Sequence, residues 1–403
     1  MELYIQMGHG TQQLSIDLIK KFSGGSIILS PMNIKPGKIE TFAKSAKNFN
    51  GKIVIDPQLY YPRKHQKNLQ LYDYWPNENI TYMQNGNYDT VIEKLHVLNE
   101  MASTDFFILP TEIINKFDAR WNTIQNKIID FGRKYGNKKI YHTLALGSNI
   151  LNDESAVESI IQCVEKWDVE GVYIVCEHPP MTNKNTKSEY LVENPNWVAN
   201  LMNLVAGIKL SNKKVIVGYA NHQLLCLSLA KCDAIASGSF LNLRWFQSKH
   251  FETLISGGGQ RSLWYYAPQV LSEYKVIFLD IAKRLNVLEL LKPSEKMMNE
   301  YCQVLFNGNI PSVTNYKESD SHRHYLYCLK KQCDGLTCDS YNNTKAVYLN
   351  LINTAEQIQD GLHANEITGQ NRDFADFSTV NRAAIAVFEQ AYGNSMRMEW
   401  DNL

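Results

Sequence analysis

The chain of 403 residues sets 41 Lys and Arg against 41 Asp and Glu, and 44% of its positions are apolar. That balance describes a folded chain with a large core and excludes both disorder and a uniformly basic coat for nucleic acid or membrane. No window approaches the roughly 18 uninterrupted apolar residues of a spanning helix. Met1–Gly10 lacks the basic start and apolar core of a signal peptide, so the sequence predicts a cytoplasmic protein without membrane contact. The 8 cysteines are too dilute for a disulfide scaffold, and Cys163, Cys176, Cys226 and Cys232 sit in apolar runs as small hydrophobes would.

Short β-branched runs recur along the chain, each followed by a polar turn and then a stretch of helical spacing. In order they are Ser26–Ser30, Lys52–Asp56, Phe106–Leu109, Ile140–Leu146, Val172–Cys176, Lys214–Tyr219 and Ala234–Ser237. Leu263–Ala267, after the glycines at 257–259, is the candidate for an eighth strand, and Leu3–Met7 is an additional run that could pair or plug one end. Intervening helices are predicted at Ile39–Asn48, Val91–Met101, Asp118–Tyr135, Ser155–Trp167, Asn196–Ala206 and His222–Lys231.

Continuous apolar strands imply burial on both faces, as in parallel sheets covered by helices. Eight such units in about 250 residues predict an α/β fold, a (β/α)8 barrel, with an open doubly wound sheet as the alternative. The barrel is assigned to residues 1–268 and a helical C-terminal region to 269–403. Within that region helices are predicted at Val270–Leu291, Ser294–Leu305, Ala346–Gln359 and Ser378–Tyr392, with a polar stretch at Asn307–Ser321.

Parallel barrels gather functional residues at the C-terminal ends of their strands. By that rule Asp56 ranks first, because a carboxylate directly after a buried run must be solvated, paired or bonded to donors. A turn-forming or helix-capping role before Pro57 is the alternative. Glu177 and His178 follow the next-but-two strand run and could supply an acid and a base, although neighbours on a strand point to opposite sides. Gln58, Tyr60, Asn149, Tyr219, Asn221, Ser237 and Trp245 occupy equivalent loop positions and could bind and stack a flat base. Arg63, Lys64, Lys67 and Arg244 are the expected contacts to a nucleic-acid backbone.

The neutral total hides local imbalance. Between Lys35 and Lys67 eight basic residues stand against Glu40 and Asp56, whereas between Glu356 and Asp401 eight acids stand against three arginines. A basic rim around Asp56 is therefore expected at the barrel mouth. Cys328, Cys333 and Cys338, with His322 and His324 nearby, lack the CxxC spacing that zinc sites favour, so neither a metal nor a cofactor is assigned.

The segment Val215–Arg244 resembles the strand six to strand seven unit of the tRNA-guanine transglycosylase superfamily, with Gly218, Leu224, Leu225, Ala230 and Asp233 keeping that layout. Ile53–Gln58 is similar to the strand that ends in the family's base-recognition segment, and Asp56 matches its aspartate. The position of the family's nucleophilic aspartate falls at Ala236, followed by Ser237, and the Cys-x-Cys-x2-Cys zinc motif is absent. The resemblance implies a barrel that flips a nucleotide. With the nucleophile missing, it points to the DNA-acting antiviral branch, which hydrolyses modified cytosine from phage DNA and leaves an abasic site. Base exchange that inserts a 7-deazaguanine into DNA or tRNA, or nucleic-acid binding without catalysis, are the alternatives.

Overall fold

The apolar runs fold into eight parallel strands: β1 (Glu2–Gln6), β2 (Gly25–Leu29), β3 (Gly51–Ile55), β4 (Phe107–Leu109), β5 (Ile140–Leu146), β6 (Gly171–Cys176), β7 (Lys214–Val217) and β8 (Ala234–Ser237). Their order in the sheet is β3-β2-β1-β8-β7-β6-β5-β4, which curls the sheet nearly into a closed barrel. This computed structural model describes residues 1–62, 66–76, 88–136, 138–179, 190–252 and 262–403, apart from the side chains of Lys67 and Lys249.

β3 and β4 meet at the seam through Asp105. Its backbone N–H donates to the Ile53 carbonyl at 2.8 Å, and its carboxylate accepts from the Ile53 N–H at 2.7 Å. A side chain thus replaces one ladder bond where the two strands do not pair. The polar groups of that edge stay satisfied, as burial demands.

Successive strand residues face opposite sides, and two apolar clusters result. Val54, Tyr141, Ala145, Tyr173, Val175, Ile216 and Ala236 fill the barrel interior. Ile53, Ile55, Leu144, Leu146, Val172 and Ile174 face outward and pack beneath the helices. Those helices are α1 (Gln12–Phe22), α2 (Ile39–Lys47), α3 (Tyr88–Ala102), α4 (Ala119–Arg133), α5 (Glu154–Glu165) and α6 (Pro195–Leu210), with a 3-10 helix at His222–Ala230. Three of them start where a side chain satisfies free N–H groups: Asp118 accepts from Trp121, Asp153 from Ser155 and Ala156, and Asn194 from Asn196 and Trp197.

The eighth barrel strand is the N-terminal run, a correction to the expectation from sequence. β1 pairs with β2 on one side and β8 on the other. The run proposed for that place, β9 (Trp264–Ala267), instead forms an antiparallel hairpin with β10 (Ser272–Lys275), outside the barrel. An isolated apolar run carries no information on its partner, and here β1 already occupies the gap beside β8.

Beyond the hairpin come α7 (Val276–Arg284), α8 (Glu318–Gly335), α9 (Tyr341–His363) and α10 (Ala375–Glu399). The helix expected at Val270–Leu291 is therefore part strand and part helix, and Ser294–Leu305 contains only the start of a 3-10 turn, Gln303–Phe306. α8 begins inside the stretch read as polar connection. α10 packs on α6, and α8 packs on β1 and β9. Tyr325, Leu329, Phe388 and Met396 from these helices join the cluster that lies under the barrel helices, so barrel and C-terminal region share a core. No helix among the described residues is long and apolar enough to cross a membrane.

Candidate active site at the C-terminal end of the barrel

Asp56 follows β3 on the same inward register as Val54 and is fully buried. Its carboxylate sits in a cage of neutral donors. Tyr60 Oη donates to Oδ1 at 2.6 Å and the Gln58 backbone N–H to the same oxygen at 3.0 Å. Tyr219 Oη, Tyr173 Oη and Gln6 Nε2 donate to Oδ2 at 3.1, 3.3 and 3.4 Å. Gln58 is fixed in turn: its Nε2 donates to Ser30 Oγ at 2.6 Å and to Tyr219 Oη at 3.1 Å, and its Oε1 accepts from the Met32 N–H.

Burial raises the Asp56 carboxyl to about 6, against the hydrogen bonds from Tyr60, Gln58, Tyr219 and Tyr173, which pull it down. The three tyrosines go the other way. Burial, then the Asp56 charge, pushes each hydroxyl well above its ordinary value, so they remain donors. No cation bonds to the carboxylate among the described residues, which leaves it poised between charged and neutral near physiological pH.

Two backbone features build the cage. Gln58 and Tyr219 both adopt left-handed conformations, φ 55° and 53°, costing about 1 kcal/mol or more each for a residue with a Cβ. Gly218 lets Tyr173 approach: a Cβ there would lie 2.4 Å from the Tyr173 hydroxyl. Above the carboxylate Tyr60 packs edge-on against Phe246 and Phe251, at 5.1 and 5.3 Å between ring centres, and Tyr219 packs on Phe246 at 5.3 Å. These rings cap the mouth over Asp56.

The structure thus brings together Asp56, Gln58, Tyr60 and Tyr219 from the expected set and adds Gln6, Ser30, Tyr173, Phe246 and Phe251. Glu177 keeps the inward register of Tyr173 and Val175, and its carboxylate accepts from the Ser248 hydroxyl at 2.7 Å and N–H at 3.1 Å. His178 takes the opposite register. Its ring lies buried between Trp197 of α6 and Trp245, and burial lowers it to about 3, so the imidazole is uncharged at neutral pH and is no cationic acid for the barrel mouth.

Several other expected contacts are structural. Asn221 is buried as the cap of the 3-10 helix, accepting from Gln223 and donating to the Tyr190 and Arg244 carbonyls. Ser237 is buried on the outward register of β8, next to inward Ala236. Trp245 packs against His178 and His250, away from the cage. Asn149 is exposed beyond β5.

Arg244 is buried rather than free for phosphate. It pairs with Glu273 at 2.9 Å and donates to the Gly238 and Ser239 carbonyls. Arg63, Lys64 and the Lys67 side chain lie outside the described residues, as does the glycine loop 257–259. The expected basic rim is divided. Lys35 and Lys38 precede α2 on the mouth side, but Lys47 reaches the Ser103 carbonyl and Lys52 is the second residue of β3, both at the opposite end.

Among the described residues no three His, Cys, Asp or Glu side chains converge as a metal's donor set. His324 is bonded to the Tyr266 carbonyl and to Asn299, which accounts for its burial.

The fold and site define a parallel (β/α)8-type barrel with a caged carboxylate at its C-terminal face. No family model and no curated protein matches the sequence. Among solved structures the chain is similar to a psychrophilic glycoside hydrolase family 10 endo-beta-1,4-xylanase, at TM-score 0.36 and 6% identity over 63% of this chain and 97% of that one. It is also similar to xylanase B from Clostridium stercorarium F9, at TM-score 0.33 and 11% identity over 61% and 85%. A D-psicose 3-epimerase in the presence of D-fructose gives TM-score 0.33 and 11% identity over 64% and 93%.

Proposed function

We propose that this protein hydrolyses the N-glycosidic bond of a base in DNA, a modified cytosine of phage DNA in the fullest form of the reading, and leaves an abasic site. The observation that carries the proposal is the Asp56 carboxylate, buried at a strand end, held by three tyrosine hydroxyls and raised to about 6. Bond cleavage at a sugar anomeric carbon passes through an oxocarbenium-like state, which a dry carboxylate stabilises strongly. Asp56 would stabilise that cation or take a proton from the attacking water. The rings of Tyr60, Tyr219, Phe246 and Phe251 would part to admit a flipped base and stack on it. Glu177, inward just past β6, would orient the attacking water, and the leaving base would take its proton from solvent.

Hydrolysis is favoured over base exchange by the inward position on β8, where Ala236 offers no nucleophile to hold the sugar covalently. The test is incubation with ordinary and heavily modified phage DNA, with mass spectrometry for released base and a parallel assay for abasic sites. Incorporation of labelled 7-deazaguanine without abasic sites would establish exchange instead.

A further inference from the structure

The mouth-side segment that follows β8 also forms one wall of a second cleft. Phe246 of that segment touches the Asp56 cage, while Ser239 and Arg244 face a cavity of about 450 Å³ between the barrel, the β9–β10 hairpin and α8. Its centre is an ion-pair triad. Glu273 accepts from Arg244 on one oxygen and from Arg372 on the other, both at 2.9 Å. Burial alone would raise this carboxyl, but Arg244 and Arg372 outweigh it and hold it at about 2.

Among the described lining residues positive charge is left over. Lys275 lies 5.5 Å from the centre of the Trp264 ring and has no carboxylate partner among the described residues. Arg372 stacks on the same ring at 4.0 Å and spends one nitrogen on Glu273, leaving its other donors unpaired among the described residues. The second carboxylate at the lining, Glu318, is exposed at the rim. Ser239 belongs to the cleft wall: it is 3% exposed and its hydroxyl is sealed from the cavity.

We propose that this cleft is a phosphate subsite, in which Lys275 and Arg372 hold an oxyanion. Resting on the DNA-acting reading for its source, the oxyanion is a backbone phosphate next to the nucleotide presented to Asp56. The guanidinium is oriented by Glu273 and Trp264, which suits the directional bonds that phosphate oxygens accept.

The experiment measures binding of a fluorescent DNA duplex across a salt series, beside thermal stabilisation by inorganic phosphate. Lys275→Ala and Arg372→Ala should each lower the slope of log affinity against log salt by about 1. Phosphate should raise the melting temperature of the wild type and not of Lys275→Ala. Half-buried and unpaired Lys275 keeps the test open should Arg372→Ala fold poorly.

Duplex binding with unchanged slopes and no phosphate effect overturns the subsite and leaves the glycosylase reading standing. Phosphate stabilisation lost in the variants, with no duplex binding by the wild type, upholds the oxyanion site and removes DNA as its source.

Discussion

Asp56 adds its own pH dependence to the molecule. An aspartate ordinarily near 3.8 that folds to about 6 binds its proton more tightly in the native state, so its contribution to stability is fullest below the unfolded value and is lost as pH rises from about 4 to about 6, whereas buried neutral His142, His178, His222 and His324 lower stability in acid. The ionised carboxylate then costs on the order of 3 kcal/mol. Asp56→Asn should accordingly melt higher than wild type at pH 7.5 and lose that advantage at pH 4, measured by thermal denaturation at both. The proposed hydrolysis uses the opposite state. If Asp56 works as the carboxylate, base release should climb with pH through an apparent value near 6. Tyr60→Phe removes the shortest bond to that carboxylate and should move the climb upward by on the order of one unit, which a pH-rate profile reads directly. Asp56, Gln58, Tyr60 and Tyr219 were legible in the sequence because each follows a strand run. Tyr173 and Gln6 were not, since they sit within runs where the inward register is decided only by pairing. Arg244 read as free because its partner, Glu273, is distant in sequence and meets it only through the hairpin.

At the level of elements, strand register decides which of two neighbours can act. β6 turns Glu177 inward and sends His178 into the layer beneath α6, so a pair adjacent in sequence is divided between barrel and helices. Gly218, after β7, leaves room for the Tyr173 hydroxyl, and Gly218→Ala should push that ring off Asp56, lowering activity at least tenfold and costing about 1–3 kcal/mol by overpacking. Activity assays beside denaturant unfolding separate the two effects. The aromatic cap contributed by the segment after β8 makes a further expectation. Phe251→Ala should admit water to the cage, relieve the burial that raises Asp56, and shift the acid limb of the rate profile downward. The strand runs themselves were readable from their apolar continuity. Their partners were not, which is why Leu3–Met7 and Leu263–Ala267 exchanged places between expectation and structure.

As a whole molecule, barrel and C-terminal helices behave as one packed body. Asn381 of α10 donates to the Gln223 carbonyl and to Tyr348 of α9 and accepts from Gln223 Nε2, tying the last helices to the 3-10 helix after β7. Residues 1–268 expressed alone should therefore aggregate or expose core surface to a hydrophobic dye, despite containing every barrel strand. The neutral total charge conceals two different arrangements: cations scattered to both ends of the barrel, and a compact group at the cleft beside β8 that composition could not locate. If Asp56 drives release of a base from DNA, wild type incubated with modified phage DNA should yield free base and abasic sites, and a folded Asp56→Asn should lose about 10²-fold or more of that release. Undiminished release by the variant would rule out Asp56 as the group that acts.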